Sequence, residues 1–267
     1  MVRVIQNAKT LFGALLAEAL IDNAWLAEAP GFRLRMTQKE EYGGTVLQLE
    51  FENTSEKALR LGGLRFVQRE TRDDFLSTPG SRLRLYREGW TMASAAASVR
   101  YGEKDFEVDP AYKPFAVSMP SEYSSGIPNR FSGEHVAVLN DGESGFSVLT
   151  GFITSADQVT RIVVELCETG VKEYSIHSDT DHIVVDPGEK IRSEKLLILS
   201  GTDAYALLEQ FAEIWGAEMH ARTWDHLPNG WCSWYYYFDR VTENDILENA
   251  AWLKSRQGEY PLEYIQL

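Results

Sequence analysis

Two cysteines among 267 residues are too few for a disulfide framework. Cys167 and Cys232 each sit in an apolar or aromatic setting and read as reduced, packed thiols, as expected of a cytoplasmic protein. Basic residues are also in short supply: 26 Lys and Arg face 40 Asp and Glu, a net charge of −14 that repels phosphate backbones and argues against a nucleic-acid partner. Long apolar runs are missing. The most apolar early stretch, Leu11 to Ile21, is broken by Glu18 and is too short to cross a bilayer, so no membrane partner is expected. The first residues lack a secretory pattern, which makes the glycosylation-like Asn53-Thr54-Ser55 a coincidence of composition. The five histidines show no compact metal-ligand spacing, and there is no phosphate loop or dinucleotide fingerprint. Neither a metal nor a cofactor is therefore expected.

What is present is an ordinary globular composition with strong local patterning. From about residue 30 to 200 short apolar alternations are separated by turn residues. Leu47, Leu49 and Phe51 alternate with Gln48, Glu50 and Glu52; Leu64 and Phe66 follow Gly62-Gly63; a turn at Asn140-Asp141-Gly142 separates Val136–Leu139 from Phe146, Val148 and Phe152. Residues 161–166, 173–176, 183–185 and 196–199 continue the rhythm. Period-two alternation with breaks every ten or so residues predicts a large antiparallel β-sandwich of two facing sheets. The first thirty residues are ambiguous, because Leu15, Leu16, Leu20 and Ile21 suit a helix or a strand. Residues 90–130, with Pro110, Pro114, Pro120 and Pro128, read as a long loop over a surface or cleft.

At Thr202 the period changes. Leu207, Leu208, Phe211, Ile214 and Trp215 predict an amphipathic helix over 203–222, capped by Thr202 or Asp203, leaving the sandwich as a connector. Residues 230–237 then form an apolar, aromatic strand candidate, Thr242 and Asp245 resemble a capping box, and Ile246, Leu247, Ala250 and Leu253 mark a helical face. Residues 262–267 make a second strand candidate. Strand, helix and strand over about forty residues are a βαβ unit. The expected division is 1–201 for the sandwich, 202–228 for the helix and connector, and 229–267 for the βαβ segment.

The stretch Asn229-Gly230-Trp231-Cys232-Ser233-Trp234-Tyr235-Tyr236-Tyr237-Phe238, with Tyr264-Ile265-Gln266-Leu267, resembles the first barrel strands of glycoside hydrolase family 36, which includes bacterial α-galactosidases. Asn129-Arg130-Phe131-Ser132 and Gly151-Phe152-Ile153-Thr154-Ser155 also look like that family's sandwich. The resemblance implies a mainly β fold: a sandwich, a linker helix, and the first βαβ unit of a (β/α)8 catalytic barrel. It implies a retaining hydrolase of terminal α-galactosides, with a galactoside oligosaccharide as partner and a homo-oligomer as a common state. It also implies truncation. The family's sugar-gripping aspartate pair would follow Leu267, and its nucleophile and acid/base lie on later strands, so no catalytic residue is expected in this chain.

For sugar contact the resemblance points to Trp234, with Tyr235 beside it, because an indole can cover the apolar face of a hexose at a strand's carboxyl end. If the strand runs through this stretch, alternation sends Ser233 and Tyr235 to the face opposite Trp234. Trp90 is the third candidate, since the family's sandwich sends a tryptophan-bearing loop toward the active site. The family's second tryptophan, three residues on, is Ala93 here. In each case the alternative is plain packing. Asp73-Asp74 and Glu103-Lys104-Asp105 read as solvated surface, and Asp239-Arg240 as a loop ion pair. Two other readings stay open: a raffinose-synthase-like transglycosylase or other α-glycosidase of the same architecture, and a non-catalytic carbohydrate-binding or interaction module.

Overall fold

A computed structural model describes residues 2–6, 9–69, 75–89, 96–105 and 126–267, with side chains from Leu15 onward. The chain divides into two compact units, Met1–His220 and Ala221–Leu267.

In the first unit, alternation becomes strands β1 (Val2–Gln6), β2 (Lys9–Ile21), β3 (Ala24–Leu26), β4 (Phe32–Glu41), β5 (Gly44–Asn53), β6 (Leu59–Arg69), β7 (Leu83–Glu88) and β8 (Ala97–Arg100). They continue as β9 (Arg130–Asp141), β10 (Ser147–Phe152), β11 (Val159–Cys167), β12 (Gly170–Val185), β13 (Lys190–Arg192) and β14 (Leu196–Gly201). All pair antiparallel. Among the described residues they form one 14-stranded sheet, ordered β1-β2-β6-β12-β11-β9-β10-β14-β5-β13, with β3 on β2, β4 on β5, β7 on β9 and β8 on β7.

The two expected facing layers are thus one continuous sheet curled on itself. Leu47, Leu49 and Phe51 of β5 share a single buried cluster with Leu64 and Phe66 of β6, although many strands separate β5 from β6 along the ladder. A sheet can bring such strands together only by folding its inner face inward, and the apolar area removed from water drives that closure.

Part of the outer face is covered by helix α1 (Ala204–Glu218). The Asp203 carboxylate caps it, accepting hydrogen bonds from the amides of Tyr205 and Ala206. Leu207 and Phe211 pack on Val46, Val136, Val138, Leu149, Leu197 and Leu199. Burying each of these two side chains contributes about 1.5–3 kcal/mol. Phe211 fits because residue 151 is glycine: a Cβ there would lie 2.5 Å from the phenyl ring.

One ambiguity is resolved and one local expectation changes. Residues 9–21 are a strand, with Leu15, Ala19 and Ile21 buried on one face and Glu18 on the other joined to Arg65 and Arg69 of β6. The segments 173–176 and 183–185 belong to one strand, β12, kinked where Asp181 and His182 take positive φ and the register with β6 shifts.

One surface assignment is overturned. Asp105 is buried: its carboxylate lies 2.6 Å from Arg87 Nη2 and accepts a 2.8 Å hydrogen bond from the Ser132 amide. Its neighbours Glu103 and Lys104 are exposed, as expected. Asp73-Asp74 lies outside the described residues, as does most of the proline-rich stretch 90–130.

Candidate functional site

The second unit is the expected βαβ unit. Strands β15 (Gly230–Cys232) and β16 (Tyr264–Gln266) pair in parallel, Gly230 opposite Tyr264, Trp231 opposite Ile265 and Cys232 opposite Gln266. Between them runs α3 (Glu243–Ser255), preceded by the single helical turn α2 (Trp234–Tyr237) and a 3-10 turn, Phe238–Arg240. Gly230 permits the close strand pairing, because a Cβ there would sit 2.6 Å from the Tyr264 carbonyl oxygen.

The capping box forms as its spacing suggests. The Asp245 amide donates to Thr242 Oγ1, and the Asp245 carboxylate accepts from the Thr242 amide at 2.9 Å. The Thr242 hydroxyl, which donates to the Asp245 carboxylate at 2.6 Å, and then the Thr242 amide hold that carboxyl below its ordinary range. Leu253 is the buried member of the α3 face, whereas Leu247, expected on that face, is largely exposed.

The strand ends two residues before Trp234. Ser233 is buried in an αR conformation; its amide donates to the Gln266 carbonyl at 3.0 Å, and its own carbonyl accepts from the amides of Tyr236 and Tyr237. With the ladder to β16 exhausted, the chain turns helical, so the alternating sides expected for Ser233, Trp234 and Tyr235 do not apply.

Trp234 nevertheless stands immediately past the carboxyl end of β15, 43% exposed, its ring 4.4 Å from that of Phe238. Phe238 holds positive φ at the end of that turn, where its amide donates to the Trp234 carbonyl. Tyr235 is 93% exposed. Tyr237 is anchored instead, its ring edge-on to Trp231 and its hydroxyl accepting from Asn249 Nδ2 at 3.0 Å. The structure therefore brings Trp234 and Tyr235 to one turn at the strand end. Trp90 lies outside the described residues.

A shallow cleft of about 250 Å³ lies along the strand pair, lined by Pro228, Asn229, Gly230, Trp231, Cys232, Tyr264 and Gln266. It carries hydrogen-bonding groups but no ionisable carboxylate. Several acidic groups of this unit are committed to local structure: Asp245 to the cap, Glu248 to Asn244, Glu259 to Arg256 and Glu263 to His226. Among the described residues no cluster of three or more His, Cys, Asp or Glu could hold a metal, and no helix is long and apolar enough to cross a membrane. Both cysteines are unpaired and partly buried.

No family model matches the sequence. The chain is similar to solved α-galactosidases. Against the enzyme from Lactobacillus brevis the identity is 10% and the TM-score 0.46, over 98% of this chain and 39% of that one. Against the family 36 enzyme AgaA from Geobacillus stearothermophilus, in complex with raffinose, the values are 10% and 0.48, over 99% and 40%. Against AgaB from the same organism they are 10% and 0.46, over 98% and 40%. This chain spans about 40% of the length of the proteins it resembles.

Proposed function

We propose that this chain is the N-terminal part of a retaining α-galactosidase-like glycoside hydrolase acting on terminal α-galactosides. One observation carries the reading: an exposed tryptophan directly past the carboxyl end of the first of two parallel strands joined by a helix. Barrels built from such units place their active sites at that end of the strands. Trp234 would cover the apolar face of the terminal galactose, with Tyr235 at the rim.

Retention requires two carboxylates about 5 Å apart. On this reading both belong to later barrel strands, and the 267 residues position sugar without performing chemistry. A two-stranded parallel sheet is not independently stable. Further strands and helices would therefore cover β15, β16 and the exposed aromatics around them.

The test is the Trp234→Ala variant of the complete enzyme, assayed on raffinose. Loss of a stacking wall raises KM and lowers kcat/KM by about tenfold or more. Unchanged kinetics would remove Trp234 from the site. Transfer of galactose to sugar acceptors in preference to water would select the transglycosylase reading over hydrolysis.

A further inference from the structure

We infer that Asn249 is a positioning residue for sugar binding: through Tyr237 it fixes the helical turn that presents Trp234, so that the indole meets the sugar in one orientation. The part played by Trp234 as a sugar wall belongs to the function proposed above, and this inference rests on it.

The turn does not hold itself. α2 is four residues long, and a helix that short is unstable alone. None of its residues is fully buried, and Ser233, its N-cap, makes no side-chain capping hydrogen bond. It ends at Phe238 with φ 55° and ψ −125°, a conformation that a bulky residue keeps only where its surroundings impose it.

Neighbouring elements fix its two ends. At the start, the Ser233 amide donates to the Gln266 carbonyl of β16. At the other end, Tyr237 is the half-buried member of α2, whereas Trp234, Tyr235 and Tyr236 are exposed. Its ring stands edge-on to Trp231 of β15, with centroids 6.3 Å apart, and its hydroxyl accepts from Asn249 Nδ2 at 3.0 Å. The same nitrogen donates to the Asp245 carbonyl at 2.7 Å, so both amide hydrogens have partners and the side chain is held against α3. Asp245 is itself fixed by the capping box with Thr242. Asn249 thus links the capped start of α3 to the turn that carries Trp234.

Asparagine is a poor helix former, because its side chain competes for backbone hydrogen bonds. At position 249, inside α3, that residue type makes a bond to Tyr237 that no better helix former such as alanine or leucine could make. Trp234 and Tyr237 stand three residues apart in the same turn, so freeing Tyr237 frees the indole with it.

The experiment uses the complete enzyme carrying fluorotryptophan. Kinetics on raffinose are measured for Tyr237→Phe, which deletes the accepting oxygen and keeps the ring on Trp231, for Asn249→Leu, and for the double variant. The Trp234 fluorine signal, identified by its loss in Trp234→Phe, is followed in the absence of sugar. Each single variant is expected to shift or broaden that signal and to raise KM about two- to tenfold, the range for one net hydrogen bond, with kcat nearly unchanged. The double variant should be no worse than either single, since both remove the same bond. A Trp234 signal and a KM that Tyr237→Phe leaves unchanged overturn the inference, as do additive losses in the double variant. Trp234→Ala separates the two claims. If it raises KM while the Tyr237 and Asn249 variants do not, positioning fails and the proposed function stands; if it changes nothing, Trp234 leaves the site and both fall.

Discussion

Glu134 of β9 stands directly across from Arg161 of β11, buried on the outer face of the sheet, and its Oε1 atom has no hydrogen-bond partner. The row continues in register through His177, Arg65 and Glu18, every member buried. Trp25 packs on the row, edge-on to His177 and with its ring centroid 4.1 Å from the Arg65 guanidinium. Arg161 is paired with Asp179 at 2.7 Å.

Desolvation raises the Glu134 pKa to about 8, against the smaller opposing pull of Arg161. A carboxyl whose folded pKa lies above its unfolded value binds more protons when folded. Stability therefore falls as pH rises from about 4.5 to about 8. Glu134→Gln removes the ionisation and flattens that decline, gaining about 2–3 kcal/mol at neutral pH. Urea unfolding of both proteins at pH 5 and pH 8 checks this; parallel pH profiles would show that Glu134 is not the titrating group.

His135 gives the opposite slope. It sits at positive φ with its ring 4.1 Å from Trp215 and 5.8 Å from Phe211, and burial lowers its pKa to about 4. A histidine held neutral in the fold resists protonation there, so stability is lost as pH falls from about 6.5 to about 4. His135→Asn tolerates the backbone conformation and does not titrate. It should remove the acid-side loss in thermal melts across that interval.

The Arg87–Asp105 ion pair has side chains only 3% and 0% exposed. Deleting one partner strands the other charge, so Asp105→Ala should cost about 3–5 kcal/mol in denaturant unfolding. Replacing both residues with apolar side chains of similar size should recover most of that loss.

Gly151 and Phe211 form a packing pair that couples β10 to α1. Gly151→Ala drives a methyl group into the phenyl ring and should destabilise by about 1–3 kcal/mol. In a Phe211→Leu background the same substitution should cost less, a non-additivity that a double-mutant cycle measures directly.

Much of this architecture was legible because it depends on local periodicity. The alternation of Leu47, Leu49 and Phe51 is the inner face of β5, and Asp203 and the Thr242–Asp245 box cap the helices expected of them. What could not be read depends on partners distant in sequence. Residues 15–21 become a strand by pairing with β6, which also gives Glu18 its arginines. Asp105 is buried because β7 carries Arg87 beside it, and no spacing announces such a pair. The strand at Trp231 stops at Cys232 because its ladder with β16 is only three residues long, a limit set by a strand some thirty residues later. At the candidate site the residue types were visible, while the helical turn presenting Trp234 and Tyr235 was not.

The most direct test of the central claim is an assay of the product of the complete reading frame on an aryl α-galactoside, with the anomeric configuration of the released galactose followed by NMR. The proposed function predicts hydrolysis with initial release of α-galactose, abolished by removing carboxylates encoded beyond Leu267. An absence of activity on α-galactosides, or release of the β-anomer, would contradict it.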